Sequence, residues 1–129
     1  MPHLKIFLIA GAAFAATGVL LGAFGAHALS SHLTSTSLHA WETAVNYQLS
    51  HAMALLIVGI WGLQVEVNAH PPTPIIVAGW SFLSGIVLFS GSLYALALNG
   101  PSQLGPVTPI GGVAFIIGWV TLIGAALRR

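Results

Sequence analysis

Four long apolar stretches, at residues 4–29, 41–63, 74–98 and 109–127, dictate what this chain can fold into. Each is close to the roughly 20 residues that a helix needs to cross a hydrocarbon core of about 30 Å. Only 4% of the side chains are charged, three Lys or Arg and two Asp or Glu, and 57% are hydrophobic. A soluble domain carries about 25% charged residues, so five charges cannot cover a water-facing surface. The same scarcity excludes nucleic acid as a partner, because phosphate contacts need Lys and Arg. With no cysteine in the chain, disulfides, thiolate chemistry and Cys-based metal sites are excluded as well. The expected fold class is an all-α integral membrane protein, an antiparallel four-helix bundle forming one domain over residues 1–129, with the lipid bilayer as its solvent.

The prolines support these boundaries. All seven fall at or between the ends of the apolar runs, where the missing N–H and fixed φ do least harm. Thr73-Pro74 and Thr108-Pro109 each read as an N-cap followed by proline at the first helical position. Trp41 and Trp61 lie twenty residues apart, about 30 Å along a helix, which matches two interfacial belts and sets His51 near the bilayer centre. Lys5 precedes the first span and Arg128 and Arg129 follow the fourth, while the connections carry no cation. Cations stay on the cytoplasmic side, so both termini are expected there. Lys5, the first apolar run and Ala26-His27-Ala28 also resemble a cleavable signal peptide. That run exceeds the usual 7–15-residue apolar region, and cleavage would leave three spans and remove the amino-terminal cation, so it is read as a span.

Lipid tails are as apolar as leucine, so membrane helices associate through close approach and polar contacts. Gly11, Ala15, Gly18, Gly22 and Ala26 recur at steps of three or four in the first span. Ser81, Ser84, Gly85, Leu88, Ser92 and Ala95 repeat the device in the third, and Ala114, Gly118, Thr121 and Ala125 in the fourth, where Gly111 and Gly112 are also expected to serve packing. Such stripes serve packing within the bundle, an oligomer face or a narrow pore. The segment 30–40 reads as an interfacial turn of helix or a loop. No internal repeat is evident, so a transporter built from inverted repeats is not supported.

Most of the chemistry-bearing side chains open the second span. Glu42, Thr43, Asn46, Tyr47, Ser50 and His51 sweep about half the helix circumference, and at this depth they are expected to face the interior or a wet cavity. Gln48 lies outside that arc and turns to a different neighbour or to an oligomer partner. His27 is expected at the depth of Glu42, so the two are expected to pair, either tying helix ends together or forming a proton or cation uptake site. His51 is expected to bond to Tyr47 or to Ser84, Ser92 or Tyr94 of the third span, as a satisfied core histidine or a proton relay. His27 and His51 differ in depth by about 10–15 Å, which argues against a shared haem or metal. His27, His39 and Glu42 carry no recognised ligand spacing, so no cofactor and no metal are expected. Without a nucleophile motif, a phosphate loop or paired carboxylates, an enzyme is not expected.

Several strings resemble a known family. Leu21-Gly22-Ala23-Phe24-Gly25-Ala26-His27-Ala28-Leu29, followed by Trp41-x-Thr43-Ala44-Val45-x-Tyr47-Gln48-x-x-His51-Ala52, resembles the first two signatures of the domain-of-unknown-function 423 family, related to the small eukaryotic transmembrane protein 256. Leu88-Phe89-Ser90-Gly91-Ser92-Leu93-Tyr94, then Leu104-Gly105-Pro106-x-Thr108-Pro109-Ile110-Gly111-Gly112 and Gly118-Trp119, continue it across nearly the whole chain. The resemblance implies a small four-helix inner-membrane protein and no activity. It adds weight to His27, Thr43, Tyr47, Gln48, His51, Ser90, Ser92, Tyr94 and Thr108. Two functional expectations follow. One is a structural or accessory component that self-associates or joins a membrane-protein partner in a larger assembly. The other is a proton, cation or small-solute channel or carrier using His27, Glu42, Tyr47 and His51.

Overall fold

The protein is described by a computed structural model that covers residues 2–66 and 73–128. Most of the short connection expected at residues 66–73, and Arg129, lie outside the described residues. Among the described residues, four helices are long and apolar enough to cross a membrane. They are α1 (Pro2–Leu29), α2 (Ser35–Glu66), α3 (Thr73–Ala97) and α4 (Val107–Leu127). α1 ends in a π-helical turn over Gly25–Leu29, and α3 contains a second one over Ile86–Ser90.

Local chemistry sets the helix ends. α2 starts earlier than its apolar run because the Thr34 hydroxyl accepts the Ser37 N–H at 3.1 Å, capping a turn made from the polar segment. α3 stops at Asn99, whose φ of 64° is left-handed. Gly100 N–H then reaches the Ala95 carbonyl at 2.7 Å and Asn99 N–H the Leu96 carbonyl at 3.2 Å, the two bonds of a Schellman closure. Thr108 does not cap α4 as its sequence context suggests. The helix begins at Val107 behind Pro106, and the Thr108 hydroxyl bonds instead to Ser92 of α3. A hydroxyl in the first turn is free to serve a neighbour when a proline already sets the entering backbone.

Neighbouring helices run antiparallel, as their contacts show. Along α1 and α2, Leu4 meets Gly62, Gly11 meets Leu56, Gly18 meets Leu49 and Gly25 meets Trp41. Along α3 and α4, Phe82 meets Gly118, Gly85 meets Phe115 and Phe89 meets Gly111. α2 and α3 bury 50% and 44% of their most apolar stretch, against 17% for α1 and 22% for α4, so the first pair forms the centre and the second pair flanks it. Phe7, Phe82, Leu4, Leu55, Ile75 and Val58 fill the main core. Leu20, Ile116 and Ile123 stay more than 60% exposed, as expected where lipid rather than water is the solvent.

The small-residue stripes are used inside the chain. Gly11, Gly18 and Gly22 face α2, and Gly85, Gly111 and Gly118 seat the α3–α4 contact. Ala15 is half-buried and Gly112 makes only ordinary contact with Phe89. Ala26, expected to continue the first stripe, is exposed; Gly25 takes that place because the Trp41 ring leaves no room for a Cβ. Trp41 itself is not a headgroup anchor. Its side chain is 4% exposed, and its indole N–H donates to the Leu21 carbonyl at 2.9 Å. An indole with a backbone acceptor at hand can leave the interface for the core.

Candidate functional site

Gln48 ties three helices together. Its amide nitrogen donates to the Phe14 carbonyl and to the Thr17 hydroxyl of α1, both at 2.9 Å. Its amide oxygen accepts the Tyr94 hydroxyl of α3 at 2.6 Å. Thr17 passes its own proton to the Ala13 carbonyl at 2.9 Å, so donors and acceptors alternate without conflict. Gln48 thus turns to a different neighbour, the first of the two roles its position allowed.

His51 sits between α3 and α4, 5% exposed. Its Nδ1 lies 2.8 Å from the Tyr47 carbonyl, one turn back on α2, and its Nε2 lies 3.0 Å from the Trp119 indole nitrogen of α4. A carbonyl only accepts and an indole N–H only donates, so the ring is the neutral tautomer with its proton on Nδ1. Phe115 stacks on it at 3.6 Å between centroids and 14° between planes. Phe82 and Trp119 close two further sides, each at 5.6 Å. Nitrogen-15 NMR of labelled protein is expected to show protonated Nδ1 and an accepting Nε2, and Trp119→Phe to release the Nε2 signal alone. A ring protonated at Nε2 in the wild type would contradict this arrangement.

The other interior hydroxyls are equally committed. Ser90, 1% exposed in the π-helical turn of α3, donates to the Ala44 carbonyl of α2 at 2.8 Å. Ser92 bonds to Thr108 and to the Phe89 carbonyl, joining α3 to the start of α4. Among the described residues, no buried side-chain nitrogen or oxygen lacks a partner.

The expected polar cluster does not converge on one place. Tyr47 and His51 line a groove of about 410 Å³ between α2 and α4, floored by Phe89 and Phe115 and walled by Gly112 and Trp119. Gln48 and Tyr94 lie on the other side of α2, toward α1. Thr43 folds its hydroxyl back to the His39 carbonyl at 2.9 Å. His27, Glu42 and Asn46 are exposed, and among the described residues the expected His27–Glu42 ion pair is absent. Among the described residues, no three His, Cys, Asp or Glu side chains group closely enough to hold a metal ion.

Residues 21–112, which carry all of these contacts except those of Phe14, Thr17, Phe115 and Trp119, match the family model described as protein of unknown function (DUF423). The chain belongs to the DUF423 family. It is 45% identical over 125 residues to a UPF0382 membrane protein of Staphylococcus aureus, covering 97% of this chain and 98% of the relative. A UPF0382 membrane protein of Bacillus subtilis is 43% identical over the same length and shares of each chain. No solved structure matches.

In this DUF423 chain, two partners escaped sequence reasoning. Thr17 and Trp119 complete the Gln48 and His51 arrangements, and neither was counted among the candidates. The signal was available for Trp119: an indole N–H within a span needs an acceptor, and a histidine nitrogen at mid-depth is a fitting one. Chemically, the DUF423 interior is a set of closed hydrogen-bond pairs under aromatic cover. Such an arrangement links neighbouring helices through side-chain hydrogen bonds.

Proposed function

We propose that this protein is a non-enzymatic component of the bacterial cytoplasmic membrane that works by lateral association, either with itself or within a larger membrane assembly. Both termini face the cytoplasm in this reading, since Lys5 and Arg128 flank the first and last spans. One observation carries the reading. Interior polar groups are consumed within the fold, whereas Glu42 and Asn46 on the outside of α2 have no side-chain partner among the described residues. Polar groups facing hydrocarbon without a partner are costly, so their presence favours a protein neighbour.

The channel or carrier reading has weaker support. A relay through His51 needs a ring nitrogen free to exchange protons, and both are held by Tyr47 and Trp119. Extracting the protein with its native lipids and weighing the particles tests the association reading. The expected particles contain more protein mass than one 13.3 kDa chain. Single chains alone would overturn it, as would a proton or solute flux in liposomes that disappears in His51→Ala.

A further inference from the structure

The outer face of α2 has a polar upper half and an apolar lower half. Glu42, Asn46, Ser50, Met53, Ile57 and Ile60 recur at steps of three and four and are all exposed. α2 begins at Ser35 and ends at Glu66, a length of about 48 Å against a hydrocarbon core of about 30 Å. Centring the helix places Asn46 roughly 8 Å inside the hydrocarbon and Ser50 near the middle. Ser50 satisfies its proton on the Asn46 carbonyl at 2.8 Å. Among the described residues the Asn46 carboxamide has no such outlet, and lipid offers none.

We propose that a second copy of this chain covers this face, with the two α2 helices side by side and each Asn46 hydrogen-bonded to the partner's Asn46. The proposal rests on the association reading above and names its partner and surface. Copies inserted with one topology are related by a two-fold axis along the membrane normal, so each residue on that axis meets itself at equal depth. Few polar side chains tolerate that meeting. A carboxamide does, because it carries two donors and an acceptor and pairs with its own kind. Toward the other end of the helix, Ser50, Met53, Ile57 and Ile60 follow the alternating three-and-four spacing of a left-handed seam, which keeps two parallel helices in contact over several turns. Glu42 sits one turn outward, about 6 Å closer to water and about 2 Å inside the hydrocarbon, within side-chain reach of the headgroups. The two flanking helices are apolar on their exposed faces by comparison: α1 presents Val19 and Leu20, and α4 presents Ile116 and Ile123.

The chain has no cysteine, so a single introduced one reports on its own surroundings. In native membranes under mild oxidant, Asn46→Cys, Met53→Cys and Ile57→Cys are expected to form disulfide-linked dimers. Ile116→Cys and Ile123→Cys, equally exposed on α4, are not. In liposomes, energy transfer between labelled copies is expected to show Asn46→Leu weakening association about ten-fold, with Asn46→Gln retaining most of it. Among the described residues the Asn46 side chain bonds to nothing, so Asn46→Leu is expected to fold normally, and its unfolding profile checks that. Crosslinking that is equal at all five positions, or strongest on α4, overturns the proposal. So does a cysteine at 46 that links only to a different protein. If the particles remain larger than one chain while these crosslinks fail, the association reading survives without this interface. If only single chains are found, both fall.

Discussion

Gly111→Ala is expected to destabilise the bundle more than any other single methyl addition. A Cβ at Gly111 would collide with the Phe89 backbone nitrogen and lie 2.7 Å from the Phe89 Cα. Those atoms belong to the π-helical turn of α3, so no side-chain rotation relieves the clash. α4 must move away from α3, and the Ser92–Thr108 bond and the Phe115–Gly85 contact lie on the same seam. Overpacking a well-filled core costs about 1–3 kcal/mol when side chains can adjust, and about 3 kcal/mol or more is expected where only backbone can move. Gly124→Ala supplies the comparison within the same helix. Nothing lies within 4 Å of a Cβ there, so helix propensity alone acts and the change is neutral or stabilising by up to about 1 kcal/mol. Unfolding free energies measured in bicelles separate the two. A Gly111→Ala loss within about 0.5 kcal/mol of wild type would show that the helices are not in backbone contact.

That ranking differs from the one a motif search suggests, and the difference explains what the sequence could convey. Gly18-x-x-x-Gly22 is the recognisable small-residue motif, yet a Cβ at Gly22 meets only Val45 Cγ1 at 3.2 Å, and one at Gly18 meets the flexible end of Leu49. Spacing reveals which face is small and says nothing of what lies opposite. The four spans were legible because hydropathy over about 20 residues is set by the bilayer, a constraint local to each helix. The helix starts at Ser35 and Val107 were less so, because one depends on a hydroxyl cap and the other on Pro106 rather than on the expected Thr108 cap. The rule that the polar residues of α2 face inward failed for Asn46 and Glu42, which are exposed. Burial of polar groups follows from the cost of leaving them in lipid, and a partner outside the chain meets that cost equally well. Sequence periodicity cannot distinguish a partner in the same chain from one in another.

Gln48→Leu is the second large loss expected, and it tests whether the interior network holds helices in register. The substitution removes two bonds to α1 and one to Tyr94 of α3. Hydrogen bonds between membrane helices average about 0.6 kcal/mol, which accounts for about 2 kcal/mol. Stranding the Tyr94 hydroxyl among Trp41, Val45 and Leu49 adds about 1 kcal/mol more, because a buried donor without an acceptor costs its full desolvation. The expected total is about 3 kcal/mol. Tyr94→Phe alone breaks one bond and leaves the Gln48 oxygen unpaired, at about 1 kcal/mol. The double variant removes both partners, so its loss falls below the sum of the singles by about 1 kcal/mol. That coupling is the decisive quantity: a helix displaced by lost volume would add independently of Tyr94, whereas a stranded hydroxyl vanishes once Phe replaces it. Additive losses would mean that Gln48 acts through shape alone, and the register of α1 and α3 on α2 would then rest on glycine contacts rather than on hydrogen bonds.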